Sequence, residues 1–323
     1  MMFAPWIFLL SMSGMTHLRP TMLRFRIALL MAILSLPLIA SAQATAGHVD
    51  AAYQREVEKF RAEEIKDLKS NWLLLAGLFW LKPGVNAFGT ASSNSIVLPP
   101  GTAPAKAGVF ELNGDEVTLK MEAGAAATID GQSLMTAKLQ ADTSGKPTVV
   151  ALGRLRMHVI KRGERVGIRL KDLQNPALRN FTTLHFYPID TACRVTGTWV
   201  PSDGKRTIDV PNVLGDVTQE TIPGEVRFEL NGQKLTLTAL GGDATKGLFF
   251  VFSDTTSKTE TYPAGRFLET DAVKDGTVVL DFNLAYNPPC AVTPYATCPI
   301  APKENRLAVA IPAGEKFDHS RLH

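Results

Sequence analysis

No Gly-x-Ser-x-Gly elbow occurs in the 323 residues, so the common signal of an α/β-hydrolase is missing. His-Glu-x-x-His, Cys-x-x-Cys and the phosphate-cradling P-loop are absent too. Histidine is scarce: beyond residue 42 there are His48, His158, His185, His319 and His323. Only the last two stand at ligand spacing, and a fraying chain end accounts for them. Cysteine is scarcer, with Cys193, Cys290 and Cys298, and these do not meet the usual spacings of a zinc site. No metal and no cofactor is implied. An excess of one charge is lacking as well. The formal net charge is +3, and Arg19, Arg24 and Arg26 carry it, which leaves the chain after residue 42 neutral. With no long basic run there is no electrostatic footprint for nucleic acid, and nucleic-acid binding drops out.

What is present begins with a leader. Arg24 and Arg26 precede the apolar run Ile27 to Ile39, and Ala40-Ser41-Ala42 fits the small-x-small rule of signal peptidase. Residues 1–42 therefore read as a signal peptide cleaved after Ala42. Met22 is the more ordinary start, which would make residues 1–21 an upstream extension. The apolar run falls short of the about 20 residues a spanning helix needs. No stable membrane span is expected after cleavage, and the absence of a cysteine at the cleavage point argues against a lipid anchor. The expected place is the periplasm or the exterior, where disulfides are permitted.

Residues 43–69 are expected to hold an N-terminal amphipathic helix. Its regular part runs from 50 to 69, where Tyr53, Val57, Phe60, Ile65 and Leu68 share one arc and Asp50 stands as N-cap. After Ser70 the periodicity is that of strands. Phe110-Glu-Leu, Asn113-Gly114 and Val117-Thr-Leu read as a hairpin, since Asn-Gly suits a type I′ turn. Asp130-Gly131 and Arg162-Gly163 read as similar reversals, the latter joining strands near 154–161 and 165–170. Further strands are expected near 195–200, 225–230, 235–240, 248–252 and 278–282. With no βαβ alternation, the fold class is mainly β: an antiparallel β-sandwich or barrel-like domain over 70–317, with a tail at 318–323. The phrase Phe110-Glu-Leu-Asn-Gly returns as Phe228-Glu-Leu-Asn-Gly. Either it marks two packed lobes, near 70–175 and 176–317, or one favourable hairpin has arisen twice.

Ser92-Ser93-Asn94-Ser95 entering Ile96-Val97-Leu98 resembles the loop-to-strand entry of a forkhead-associated phosphopeptide domain. The arginine expected just after Gly89 and the later Ser-Arg-x-x-His are missing. An ordinary loop accounts for the stretch.

A more specific resemblance rests on four stretches. They are Leu75-Ala-Gly-Leu-Phe-Trp-Leu-Lys82, Phe186-Tyr-Pro-Ile-Asp190 and Thr261-Tyr-Pro-Ala-Gly-Arg-Phe-Leu268. The fourth is Asp281 through Cys290, with Cys298-Pro299 and Glu304-Asn305-Arg306-Leu307. Together they resemble the DUF1684 family, a bacterial and archaeal group of unknown function. The resemblance implies a shared fold unit and polar segment, with no activity attached. Cys193 stands where relatives tend to carry an aromatic residue, which points to a core filler.

The segment from Asp281 to Leu307 is the densest in candidate groups. A Cys290–Cys298 disulfide would close a nine-residue loop, worth roughly 2.5 kcal/mol in the chain-entropy model. The alternatives are unpaired buried cysteines or a nucleophilic thiol with a base such as His185. Asp281 and Asn283 would share one face of a strand. Asp281 and Glu304 could serve as acid and base, with Arg266 or Arg306 gripping an anionic group. Asn283, Tyr286, Asn287 and Asn305 would line the same pocket, and Arg266 would project from the rim of the turn Tyr262-Pro263-Ala264-Gly265. The same polar groups could equally be consumed in turns and ion pairs. Three functions follow: an envelope binding or accessory module holding a small molecule or glycan, a hydrolase using Asp281 and Glu304, or a purely structural envelope protein.

Overall fold

The computed structural model describes residues 49–319. The expected signal peptide 1–42, the start of the 43–69 segment and the end of the 318–323 tail lie outside the described residues.

The N-terminal helix runs Ala51–Asp67. Asp50 caps it as expected, its carboxylate accepting from the amides of Ala52 and Tyr53 at 3.1 Å each. Val57 is fully buried on the apolar face. The helix then widens into a π-turn, Leu68–Trp72. Ser70 donates its hydroxyl to the carbonyl of Lys66 at 2.8 Å, while the Trp72 indole N–H reaches the Asp67 carboxylate at 2.9 Å. The Ser70 bond competes with the regular ladder, and the Asp67 bond holds the indole in place.

The strands that follow form open, mostly antiparallel sheets in two groups. Within residues 75–172 a six-stranded sheet contains the long hairpin Leu155–Arg162 and Arg165–Asp172, flanked by Leu75–Trp80. It packs on a five-stranded sheet, and both contribute to one core in which Phe88 and Phe110 stack at 4.6 Å. Its short Ile96–Val97 strand is the parallel exception. Within residues 194–281 a four-stranded sheet including Arg194–Pro201 and Thr277–Asp281 faces a three-stranded one including Gly247–Phe252 and Arg266–Glu269. A second core of Phe228, Phe250, Phe252, Phe282 and Leu280 fills the space between them. Cys193 belongs to that core, as a filler. Among the described residues no strand of one group pairs with a strand of the other. The fold is thus mainly β and sandwich-like, with no closed barrel among the described residues.

The repeated Phe-Glu-Leu-Asn-Gly phrase closes with two different turns. Leu230 pairs with Gln233, so Asn231 and Gly232 form the turn, both at positive φ (52° and 75°), as a type I′ turn requires. In the first copy Asn113 pairs with Glu116, and the turn is Gly114-Asp115 with positive φ only at Gly114. The type I′ expectation fails there. The registers differ by two residues, which leaves the inward face unchanged.

A fully buried ion pair knits the second group to the C-terminal segment. Arg266 and Asp254 both have zero side-chain exposure and lie 3.3 Å apart. Arg266 also donates to the carbonyls of Ile311 (3.0 Å) and Ala313, and its guanidinium lies 5.1 Å from the Phe252 ring centroid. Asp254 accepts from the Ile311 amide at 2.6 Å and from the Thr256 hydroxyl at 2.8 Å. Gly265, at φ 105°, permits this: a Cβ there would meet the Phe252 carbonyl oxygen at 2.6 Å. Removing one partner strands the other charge, so Asp254→Ala is expected to lower the unfolding free energy by about 3–5 kcal/mol. Urea titration checks it, with a paired control: Asp254→Leu combined with Arg266→Met should lose far less than either single change.

Candidate functional site

The polar motif residues form braces. Asp281 ends its strand and caps the tight turn Phe282–Leu284 through the Asn283 amide, so Asp281 and Asn283 do not share a strand face. Its carboxylate accepts from the Tyr53 hydroxyl at 2.9 Å and lies 3.2 Å from Arg194 Nε. Asn283 donates to the Tyr53 oxygen (2.9 Å) and the Asp190 carbonyl (2.8 Å), and accepts from the Asp190 amide (2.9 Å). Burial and the Asp281 carboxylate push the Tyr53 phenol pKa well above its ordinary value. These bonds fasten the N-terminal helix to the second sheet group.

Asn305 is fully buried and brackets two strands, bonding both backbone groups of Thr238 at 2.8 Å and the Val251 carbonyl at 2.9 Å. Arg306 is exposed and donates to the Ala301 carbonyl. Glu304 is half-buried, one oxygen 3.9 Å from Lys303 Nζ and the other without a partner. His185 is exposed and borders a cavity of only about 20 Å³. Asn287 ties the chain end, donating its amide to Glu315 (2.8 Å) and its side chain to the Lys316 carbonyl (3.0 Å).

The expected acid–base pairing of Asp281 with Glu304 is therefore not assembled. Neither they nor Arg266 line the cavities of about 590, 450 and 660 Å³ among the described residues. Arg266 does not project from a loop rim; it opens a strand and spends its donors inside the core. The expected Cys290–Cys298 disulfide is not formed either. All three cysteines are free thiols. The Cys290 amide donates to the Cys298 sulfur at 3.3 Å, and the two thiols share a hydrogen bond that lowers the Cys290 pKa. That bond, with burial, raises Cys298.

Tyr286 and Cys298 do reach a cavity, one that unites distant parts of the chain. It has about 450 Å³ of space, and its walls come from three sources. The helix and π-turn supply Glu64, Asp67 and Trp72; the long hairpin supplies Arg162 and Arg169; the second group supplies Phe267, Glu269, Tyr286 and Cys298. Most of the charged groups are already satisfied. Asp67 accepts from Asn71 and Trp72. Glu269 accepts from the Tyr286 hydroxyl at 2.7 Å. Arg162 lies 2.7 Å from Asp142 and donates to Thr297 at 3.2 Å.

Arg169 differs. It is 8% exposed, its side chain makes no hydrogen bond or ion pair among the described residues, and its Nε is buried without a partner. His158 stands opposite it across the hairpin, the Trp72 ring lies 5.9 Å from its guanidinium carbon to centroid, and the Asp142 carboxylate, already bound to Arg162, attracts it without touching it. Burial, and then Arg162, lower its pKa. Across the cavity Glu64 is half-buried with no side-chain bond, and burial, Asp67, Glu269 and Glu63 push its carboxyl up to about 7. A larger cleft of about 590 Å³ adjoins across Arg162, Thr297 and Pro299, but there Arg165 is paired with Asp216 and Lys161 with Asp115.

Sequence reasoning passed over Arg169 and Glu64. A signal for Arg169 exists: it interrupts Val166-Gly-Ile168 and Leu170 in a strand buried on both faces. Glu64 carries none, since charged helix residues are ordinarily solvated.

The family comparison falls on the second half of this architecture. Residues 179–316 match the family model of DUF1684, described as a protein of unknown function. This bears out the family resemblance, and the match holds every motif quoted for it except Leu75–Lys82. The solution NMR structure of an uncharacterized protein from Haloarcula marismortui is 29% identical over 44% of this chain and 80% of its own, with a TM-score of 0.37. Two FHA-domain structures, one of them the FhaA domain bound to the intracellular domain of Rv3910, are each 14% identical over 29% of this chain. They span 97% and 92% of their own chains, with TM-scores of 0.22. No curated protein matches. None of these likenesses carries an activity.

A second carboxyl near the cavity gives a pH test of this packing. Glu315 is 5% exposed, and burial pushes its pKa up to about 8 from an ordinary 4.5. A raised folded-state pKa means its contribution to stability is complete below about pH 4.5 and is lost as the pH climbs through about 8. Thermal midpoints measured from pH 5 to 9 should fall with rising pH, and Glu315→Gln, which keeps an acceptor for the Asn287 amide, should flatten that fall.

Proposed function

We propose that the protein is an exported binding module of the cell envelope that holds a small ligand bearing an anionic group, with Arg169 as its anchor. One observation carries this: an arginine that is 8% exposed as a residue, with its Nε buried and unpartnered and no carboxylate bound to its guanidinium, at the wall of a ligand-sized cavity. A buried charge without a counter-charge is costly, and proteins otherwise pair or omit it. A carboxylate, phosphate or acidic sugar would supply that counter-charge through short, charge-assisted hydrogen bonds. Trp72, Phe267 and Tyr286 add aromatic faces against which the body of such a molecule can pack. The export part of the reading rests on Arg24, Arg26, the 27–39 run and Ala40-Ser41-Ala42.

The test separates binding from folding. Acetate, phosphate and glucuronate serve as probes, followed by Trp72 fluorescence or calorimetry on the full chain. Arg169→Met is expected to weaken the best probe at least tenfold while raising unfolding stability by about 0.5–2 kcal/mol, because a stranded charge is removed. Undiminished anion binding in Arg169→Met, together with a loss of stability, would sink the proposal and leave Arg169 a structural group.

A further inference from the structure

We infer that the ligand is a zwitterion, with its anionic group on Arg169 and an ammonium group facing Glu64. This rests on the anion-binding reading above and goes further, naming what the other end of the molecule must carry.

Five charged side chains line the cavity, and three are already engaged: Asp67 by Asn71 and Trp72, Glu269 by Tyr286, and Arg162 by Asp142 and Thr297. The side chains of Arg169 and Glu64 are left without hydrogen bonds among the described residues, and they do not pair with one another. A cation and an acid that share one cavity without meeting are held apart by its walls. Glu64 is fixed on the helix and Arg169 in the strand Arg165–Asp172. A molecule with both charges neutralises both walls at once.

A simple anion does not. It would sit on Arg169 and leave its body against Glu64, Asp67 and Glu269, a wall of like charge. A simple cation would leave Arg169 stranded. Burial first, and then the carboxylate wall of Asp67, Glu269 and Glu63, raise the Glu64 carboxyl above its ordinary range. An ammonium group beside Glu64 would reverse that balance and release the proton. The class of ligand is thus an amino acid, or a short peptide or amino-acid derivative with both charges retained.

The experiment uses the full chain and three matched series. Glycine, 4-aminobutyrate and 6-aminohexanoate vary the spacing between charges. Acetate, butyrate and hexanoate lack the ammonium; methylamine, propylamine and pentylamine lack the carboxylate. One amino acid is expected to bind at least tenfold tighter than its matched carboxylate and its matched amine. Glu64→Gln should erase that advantage and leave carboxylate affinity within about twofold, while Arg169→Gln weakens both. Calorimetry near pH 7 in buffers of different ionisation enthalpy should show proton release on binding by the native chain and none by Glu64→Gln. If carboxylates bind as tightly as amino acids and still depend on Arg169, the zwitterion inference falls and the anion site stands. If no probe shows binding that depends on Arg169, both fall together.

Discussion

Arg266 and Asp254 set the terms for the second half of the molecule. Two charges at zero exposure are tolerable only because each is neutralised and nearly every remaining valence is filled. Asp254 takes the Ile311 amide and the Thr256 hydroxyl; Arg266 takes the Ile311 and Ala313 carbonyls. The pair therefore fixes where residues 311–313 run. That path in turn places Glu315 against Asn287, and Asn287 leads directly into the Pro288-Pro289 wall of the cavity region. An apolar pair could fill the same volume, but it would not specify which backbone groups of the C-terminal segment lie opposite it.

The same logic runs through Asp281, Asn283 and Asn305. Each satisfies buried backbone or hydroxyl groups that would otherwise lack partners. Asp281 and Asn283 hold Tyr53, and so the helix that supplies Glu64 and the π-turn that supplies Trp72. The polar motifs thus act on the cavity at one remove, by keeping its helical wall in place. A chain can concentrate distinctive polar residues in one segment for this reason alone.

Legibility followed the range of the interactions. Asp50 as N-cap, the arc from Tyr53 to Leu68 and the alternating strands all depend on neighbours a few residues away, and these were readable. So was the sandwich-like, mainly β class, because strands and turns recur without crossover helices. The turn at Gly114-Asp115 was misread because pairing beyond the turn, at Asn113 and Glu116, decides the register. The site was misplaced for a similar reason. A polar residue in a motif looks the same in sequence whether it fills a ligand pocket or a backbone valence. Arg266 stands beside a permissive glycine, as a rim arginine would, yet it points into the core. Arg169 and Glu64 are 105 residues apart in number, and nothing local announces that they face one cavity.

What distinguishes the two buried arginines is therefore satisfaction. Arg266 has a counter-charge and two carbonyls, so its burial is explained within the fold. Arg169 has only the edge of an aromatic environment, and burial already lowers its pKa. A cation–π contact at 5.9 Å contributes on the order of 0.5–2 kcal/mol, less than the several kcal/mol that stripping water from an ion costs. The fold also holds Arg162 near it, which adds repulsion, and the nearby Asp142 carboxylate, bound to Arg162, offsets this only in part. Asp67 and Glu269 stand on the same cavity, yet each is turned to another donor. A guanidinium left without a direct counter-charge, in a space large enough for a small molecule, is what a binding site costs its fold before the ligand arrives.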